Sequence, residues 1–239
     1  MANQNLFIQV TQDEKKDYQY EEAMKTLRTN IQFSGSGLKV IMLTSTMPDE
    51  GKSETSSQLA ISMAQTEGRV LFIDADIRKS VLVSRFGFGQ QIHGLTQYLT
   101  GQKLLGDILY HTNLPNLDII FSGPMAPNPA ELLGEDAFAR LVEWARNEYD
   151  TVIIDTPPLG SVIDAAIISQ RCDGAILVVE SGALSYRLVQ KAKNQLERTG
   201  CRILGAVLNR VDMAGSGYYH RYYGKYSKYS KYYENESDK

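Results

Sequence analysis

Short apolar runs recur along this chain, and the segments between them carry apolar residues at helical spacing. A strand that is apolar at nearly every position is buried on both faces, and strands that alternate with helices form a parallel sheet. The sequence therefore predicts an α/β fold, with a mostly parallel sheet that helices cover on both faces. Strands are predicted for VIMLTS at 40–45, VLFIDAD at 70–76, LDIIFSG at 117–123, TVIIDTPP at 151–158, GAILVVES at 174–181 and ILGAVLNRV at 203–211.

Apolar periodicity and turn residues also divide the chain into three parts. Residues 1–17 form a polar lead-in, residues 18–212 form one domain, and the periodicity is lost in residues 213–239. With 239 residues, the chain is long enough for a single α/β core. Helices are predicted at 19–33, about 52–66, 135–149, 163–171 and 184–200, with shorter helices around 94–110.

Charge, cysteine content and hydropathy exclude several classes of protein. The formal net charge of −3 gives no basic field for a nucleic acid, and Cys172 and Cys201 lie in apolar stretches without metal-ligand spacing. The first residues lack a basic segment followed by an apolar run, and no apolar run approaches the roughly 18 residues of a membrane span. We therefore expect neither a disulfide-stabilised secreted miniprotein nor a membrane-spanning protein, and we expect a reducing compartment.

The strongest functional signal is the segment STMPDEGKSETS at 45–56, between a predicted strand and a predicted helix. Backbone N–H groups at the start of such a helix bind anionic oxygens, and Gly51 allows a phosphate to approach closely. Lys52 is placed to reach the β- and γ-phosphates, and Ser53 to bind Mg²⁺. Thr46 stands where the phosphate-loop pattern has its first glycine. The plainer interpretation is a helix start broken by a glycine, with an exposed lysine.

Carboxylates stand at the ends of two predicted strands. Asp74 and Asp76 close VLFIDAD, and Asp155 follows four apolar residues in TVIIDTPP. At the carboxyl end of a central parallel strand, an acidic residue lies beside the phosphate loop and can bind Mg²⁺ directly or through water. A single such carboxylate is often only a solvated strand end. Three of them together with a phosphate loop favour a metal-dependent nucleotide site.

Taken together, these segments resemble those of a known family. Residues 40–56, 70–78 and 151–158 are similar to the Walker A, Walker A′ and Walker B motifs of bacterial tyrosine kinases, which belong to the MinD/ParA-like P-loop ATPases. GPMAPNPAELL at 123–133 is similar to a Pro-Asn-Pro-x-Glu-Leu-Leu segment of the capsule-associated members. EEAMKTLRTNIQF at 21–33 resembles the Glu-x-x-Arg-x-x-Arg assembly helix of the family. The resemblance extends over about 20–211.

The resemblance implies a protein-tyrosine kinase that uses ATP and Mg²⁺. Asp74 is the candidate to position or deprotonate the acceptor tyrosine, although the division of roles between Asp74 and Asp76 stays open. The implied catalytic residues are Lys52, Asp74 and Asp76. The implied metal ligands are Ser53, Asp76 and Asp155. The implied nucleotide contacts are Thr46, Met47, Pro48, Asp49, Glu50, Gly51, Lys52, Ser53, Glu54 and Asn209, the last of which is equally consistent with a simple strand-end cap.

The chain departs from the family pattern at two positions of the loop. Asp49 stands where the family usually has Gly, and Glu54 where it has Thr, so added negative charge is expected to weaken ATP binding unless these side chains point outward or reach metal. MinD/ParA ATPases carry a signature lysine five residues before the loop lysine, and here that position is Met47. The absence favours a kinase over a MinD/ParA-like positioning ATPase. A nucleotide-switched interaction module without kinase activity is the third interpretation.

The segment 213–239 is biased in composition: eight of the chain's 14 tyrosines lie between 218 and 233. Four Lys and Arg residues and no acid accompany them there. Such a segment is predicted to be a disordered, flexible tail, which could also stack on RNA or bind anionic lipid. In a kinase-like chain, these tyrosines indicate autophosphorylation sites. They are Tyr218, Tyr219, Tyr222, Tyr223, Tyr226, Tyr229, Tyr232 and Tyr233.

The resemblance also implies partners. Glu22, Lys25 and Arg28 lie about one helical turn apart and correspond to the assembly motif, with Lys25 in place of its first Arg, so a homo-oligomer is expected. Alone, they would indicate only a solvated helix surface. Family members without a membrane segment work with a separate membrane adaptor of the polysaccharide chain-length regulator type. We therefore expect a cytoplasmic protein recruited to the inner face of the plasma membrane, a cognate phosphotyrosine phosphatase, no nucleic acid partner, and a role in capsule or exopolysaccharide synthesis and export.

Overall fold

A computed structural model describes residues 6–10, 18–66, 68–85 and 92–212. Its eight strands form a single sheet in the order β1-β4-β5-β3-β6-β2-β7-β8. The strands are β1 (Phe7–Ile8), β2 (Val40–Ser45), β3 (Val70–Asp74), β4 (Leu109–Thr112), β5 (Leu117–Ile120), β6 (Thr151–Asp155), β7 (Gly174–Glu180) and β8 (Ile203–Asn209). Neighbouring strands pair in parallel except β4 and β5. The predicted tyrosine-rich tail lies outside the described residues.

Helices cover both faces of the sheet, which confirms the predicted fold class. They are α1 (Tyr18–Phe33), α2 (Lys52–Ala64), α3 (Leu82–Arg85), α4 (Leu95–Leu99), α5 (Pro129–Gly134), α6 (Asp136–Glu148), α7 (Asp164–Ser169) and α8 (Tyr186–Arg198). One apolar core lies between the sheet and α1 and α2, and a second lies between the sheet and α4 to α8. Alternate residues of β2 belong to opposite cores, because successive side chains of a strand point to opposite faces.

Two strands were not expected from the sequence. β4 follows the short helix α4 and a 3₁₀ turn at Leu105–Asp107. It begins inside the segment around 94–110, for which short helices were predicted, and ends just beyond it. Its four residues, LYHT, alternate between half-buried and buried positions, and so short an alternation is a weak signal. β1 places Phe7–Ile8 beside β4, inside the segment predicted as a polar lead-in.

The parallel sheet brings the functional segments together at one edge. β2 lies between β6 and β7, so the loop after β2 is flanked by the carboxyl ends of both neighbours. In open α/β sheets, ligands bind outside the carboxyl ends of the strands, where the strand order reverses direction. In the described part of the chain, no helix is long and apolar enough to cross a membrane.

Candidate nucleotide and phosphoryl-transfer site

The loop at 46–51 joins β2 to α2, and its shape depends on a glycine. Gly51 has φ +80°, a left-handed conformation that favours glycine. A Cβ atom there would lie 2.0 Å from Asn209 Nδ2. The Asn209 amide in turn donates a hydrogen bond of 2.9 Å to the backbone oxygen of Glu50. The end of β8 is therefore packed directly against the loop, and the adenine contact predicted for Asn209 stays a prediction.

The two acidic residues of the loop, Asp49 and Glu50, lie in different environments. The Glu50 carboxylate is buried and accepts hydrogen bonds from the backbone N–H groups of Met47, at 2.7 Å, and Glu180, at 3.1 Å. It therefore ties the loop to the end of β7. Asp49 is exposed and has φ +66°. Its charge is in contact with solvent, while its backbone adopts a conformation that Gly accepts more readily.

Lys52 is buried, which excludes the plainer interpretation of an exposed lysine. Its ammonium lies 2.8 Å from Asp155 Oδ1 and 3.0 Å from Ser53 Oγ. Ser56 donates a further hydrogen bond of 2.8 Å to the same oxygen of Asp155. The other oxygen, Asp155 Oδ2, is buried and has no hydrogen-bond partner among the described residues. A buried carboxylate oxygen without a partner is unfavourable unless a ligand reaches it.

Asp74 lies directly beside Asp155, because β3 and β6 pair in a register that joins these two residues. Asp74 is fully buried, and burial together with the neighbouring Asp155 charge raises its pKa to about 7. Two donors contact this carboxylate. The Ser80 hydroxyl donates to Oδ2 and opposes the rise in pKa, and the Asp76 N–H donates to Oδ1 at 3.2 Å. A carboxyl group with such a pKa exchanges its proton near neutral pH, as a general base must.

Asp76 lies in the turn after β3 rather than in the strand, and it is half-buried. Its Oδ1 accepts the backbone N–H groups of Lys79, at 3.0 Å, and Arg78, at 3.3 Å. The Arg78 guanidinium binds both oxygens of Asp164, at 2.6 and 2.9 Å. This ion pair was not predicted from the sequence. The only available signal was an arginine two residues after Asp76.

The residues predicted to bind magnesium fit that ion. Mg²⁺ prefers oxygen ligands and is usually held by one or two carboxylates together with phosphates and water. Ser53, Asp155 with its unpartnered oxygen, and Asp76 supply ligands of this kind at one edge of the sheet. Within the described ranges, no three His, Cys, Asp or Glu side chains form a metal-binding group.

The assembly motif on α1 divides into two parts. Glu22 and Lys25 form an exposed ion pair of 2.7 Å. Arg28 instead donates a hydrogen bond of 2.5 Å to the backbone oxygen of Ser62 in α2. Arg28 thus joins two helices of its own chain, and a role for the three residues in contacts between chains stays a prediction.

Comparisons with known proteins agree with this geometry. A family model described as an AAA domain matches residues 38–200. The tyrosine-protein kinase CpsD of Streptococcus agalactiae is 46% identical over 204 residues, which cover 84% of this chain and 89% of CpsD. Among solved structures, the chimerical protein CapA2B2 has 33% identity and a TM-score of 0.79 over 86% of this chain and 94% of its own. The kinase domain of Escherichia coli tyrosine kinase ETK has 33% identity and a TM-score of 0.76, over 89% and 94%.

The fold and the site define a P-loop nucleotide-binding protein with a buried lysine and carboxylate pair at the carboxyl edge of its sheet. By its similarity to CpsD, the chain belongs to the bacterial tyrosine kinases. The septum site-determining protein MinD of Pyrococcus horikoshii, complexed with Mg-ADP, is similar at 22% identity and a TM-score of 0.62 over 74% of this chain and 72% of MinD. That likeness concerns the fold alone. The kinase interpretation is therefore favoured over the positioning ATPase.

Proposed function

We propose that this chain transfers the γ-phosphoryl group of ATP to tyrosine hydroxyls, in a Mg²⁺-dependent reaction. The observation that carries the proposal is the buried array of Lys52, Asp155 and Asp74 beside a phosphate-binding loop. The relationship to the tyrosine-protein kinase CpsD supports tyrosine as the acceptor.

The loop and its lysine bind the nucleotide. Backbone N–H groups at 46–54 and the start of α2 contact the phosphates. Lys52 exchanges its contact with Asp155 Oδ1 for the β- and γ-phosphates, which neutralises charge where it develops during transfer. Ser53, Asp155 and Asp76 would hold Mg²⁺, which when bound would supply positive charge to the phosphate oxygens.

Asp74 acts on the acceptor. The tyrosine oxygen forms a bond to the γ-phosphorus as the bond from that phosphorus to the β–γ bridging oxygen breaks, and ADP leaves. The hydroxyl proton passes to Asp74, whose pKa of about 7 leaves it largely ionised at slightly alkaline pH. Asp76 differs from Asp74, because it lies in the turn beyond the strand and its two contacts with backbone N–H groups both fall on Oδ1. This contrast supports the assignment of the base to Asp74 and of metal binding to Asp76.

The first acceptors are the eight tyrosines at 218–233. The described chain ends at Asp212, three residues after β8, and Asn209 at the end of that strand contacts the phosphate loop. The last described strand therefore ends beside the site. The four basic residues of the tail complement the carboxylates there.

The process and partners follow from the family. We propose that the protein regulates capsule or exopolysaccharide synthesis from the cytoplasm, recruited to the inner membrane face by a polysaccharide chain-length regulator and reset by a phosphotyrosine phosphatase. A homo-oligomer is proposed to form through α1. Because Arg28 binds Ser62, Glu22→Ala is the cleaner test of assembly than an Arg28 variant. Loss of oligomer mass in Glu22→Ala supports the interface, and unchanged mass contradicts it.

γ-Labelled ATP distinguishes the candidate functions. Label on protein tyrosine is expected from the wild type, and much less from a variant with Phe at all eight tail tyrosines. Release of free phosphate without labelled protein would instead support a positioning ATPase. Binding without turnover would support a nucleotide-switched module.

A further inference from the structure

The turn after β3 and the first residue of α7 are joined by an ion pair that no role assigned above requires. The Arg78 guanidinium donates from Nε to Asp164 Oδ2 at 2.6 Å and from Nη2 to Asp164 Oδ1 at 2.9 Å. Two parallel hydrogen bonds of this kind fix the orientation of both planar groups. The Asp164 side chain is fully buried, whereas the Arg78 side chain is 38% exposed. Because a buried carboxylate needs a partner, breaking this pair would leave an uncompensated charge.

Asp164 is a rigid anchor, because the segment before it is bound to the phosphate loop. The N–H of Leu159 donates to the Ser45 oxygen at 2.8 Å, and the N–H of Gly160 donates to the Thr46 oxygen at 3.0 Å. A Cβ atom on Gly160 would lie 2.1 Å from that Thr46 oxygen, so the two loops are in close backbone contact. The position of Asp164 is therefore fixed relative to the loop that receives the phosphates.

Arg78 transmits this position to Asp76. The backbone N–H of Arg78 lies 3.3 Å from Asp76 Oδ1, and the N–H of Lys79 lies 3.0 Å from the same oxygen. The two N–H groups that orient the Asp76 carboxylate thus belong to adjacent residues of one turn. The Arg78 side chain attaches this turn to Asp164. β3 ends at Asp74, and two further backbone hydrogen bonds hold the turn, from the Ala75 N–H to the Asp155 oxygen at 2.8 Å and from the Ala126 N–H to the Ile77 oxygen at 3.0 Å.

We propose that Arg78 is a positioning residue for phosphoryl transfer: anchored on Asp164, it holds the Asp76 carboxylate in the orientation that binds Mg²⁺. The inference rests on the proposed function, which places Asp76 among the magnesium ligands. Groups that orient a metal ligand contribute strongly, and their loss typically lowers metal affinity by about 10–100-fold. A purely structural ion pair would lower stability and leave metal affinity unchanged.

The test compares two arginines of the same chain. Arg78→Lys keeps the charge and removes the fork. Arg146→Lys is the matched control, because Arg146 holds Asp173 through contacts of 2.7 and 2.8 Å near the start of β7, at the opposite edge of the sheet. Each variant is loaded with ADP and titrated with Mg²⁺ in a calorimeter, and its thermal unfolding is measured without ligand.

We expect both variants to lose stability, and only Arg78→Lys to bind Mg²⁺ at least about 10-fold more weakly. Asp164→Asn is expected to show the same loss, which keeps the test valid if one variant folds poorly. In Asp76→Asn, adding Arg78→Lys is expected to weaken Mg²⁺ binding no further, because both changes act through one carboxylate.

Three results would overturn the inference: wild-type Mg²⁺ affinity in Arg78→Lys, an equal loss in Arg146→Lys, or an equal loss of ADP affinity without Mg²⁺. The last would mean that the ion pair shapes the phosphate loop rather than Asp76. The proposed function is tested separately, since labelling of tyrosine by the wild type does not depend on any of these variants.

Discussion

Carboxylates at the two edges of the sheet have opposite environments, half-buried and fully paired at one edge, and buried and incompletely paired at the other. At the amino edge, Asp173 accepts hydrogen bonds from the backbone N–H groups of Lys39, at 2.9 Å, and Val40, at 2.8 Å, and from Arg146. Burial favours a higher pKa for Asp173, but the Arg146 and backbone hydrogen bonds outweigh it and lower the pKa. Every oxygen of this carboxylate has a partner.

At the carboxyl edge, two carboxylates lie beside one lysine. Asp74 and Asp155 lie side by side, and of these two only Asp155 forms an ion pair with Lys52. Asp155 Oδ2 has no partner among the described residues. Burial and the neighbouring charge raise the pKa of Asp74. The amino edge therefore stabilises the fold, whereas the carboxyl edge retains charge and acceptor capacity for a ligand. Substitutions at the two edges should accordingly separate activity from stability.

Lys52→Met should have the largest effect on activity. Met keeps the length of the side chain and removes the charge that would contact the phosphates, so tyrosine labelling should fall by roughly 10³-fold or more. The fold should survive with lowered stability, as judged by circular dichroism and thermal unfolding, because Asp155 loses its charged partner and keeps the hydrogen bond from Ser56. Folded protein with wild-type labelling would contradict the assignment of the phosphate loop.

Asp74→Asn should lower activity and raise stability at the same time. Loss of a general base typically costs about 10²–10⁴-fold in rate. The folded pKa of about 7 lies above the unfolded value, so wild-type stability without ligand should fall as pH rises toward 7. Asn removes the buried charge and should stabilise the ligand-free protein at pH 8 by on the order of 2 kcal/mol.

The pH dependence is the internal control for Asp74→Asn. Its stabilisation should shrink as pH falls from 7 to about 4, because Asp74 is protonated in the folded wild type over this range while the unfolded carboxyl stays ionised down to its ordinary pKa of 3.8. Thermal melts across this range measure it. A stability difference that does not change with pH would show that Asp74 is ionised throughout, and that its role as a base needs another explanation.

Asp173→Asn should show the reverse pattern. It weakens several charge-assisted hydrogen bonds, so we expect a loss of about 2 kcal/mol in the free energy of unfolding at pH 7, with specific activity unchanged in the folded protein. The folded pKa of Asp173 is lowered, so this stabilisation is present above the unfolded value of 3.8 and is lost as pH falls below it. Denaturant unfolding at pH 7 and pH 3 checks both statements. A matching loss of specific activity would mean that the two edges are coupled.

The sequence predicted the parts of this comparison that depend on long local patterns. Continuous apolar runs indicated the parallel sheet, and the loop and carboxylates at strand ends indicated the site, because parallel strands bring those ends together. The pairing of Arg78 with Asp164 spans 86 residues and depends on how the turn after β3 packs against the start of α7. The contacts of Glu50 with backbone N–H groups and of Arg28 with Ser62 likewise depend on tertiary packing. No spacing rule predicts such contacts.

Asp49→Gly should have the smallest effect of these substitutions, and it tests how Asp49 influences the phosphate loop. From the sequence alone, removal of the Asp49 charge is expected to raise ATP affinity. In the structure the Asp49 side chain is exposed, so solvent screens its charge and the effect of that charge on ATP affinity should be weak. Its φ of +66° gives a second reason, because Gly adopts this conformation without strain. We expect a gain of about 0.5–1 kcal/mol in stability and roughly a 2-fold rise in ATP affinity.

Asp49→Asn, which removes the charge and keeps the side chain, separates the two causes in calorimetric titrations of ATP. If the backbone conformation is the cause, Asp49→Asn binds ATP as the wild type does. If the charge is the cause, Asp49→Asn and Asp49→Gly bind ATP equally. Equal or weaker binding by Asp49→Gly would show that the Asp49 carboxylate assists the nucleotide-bound state.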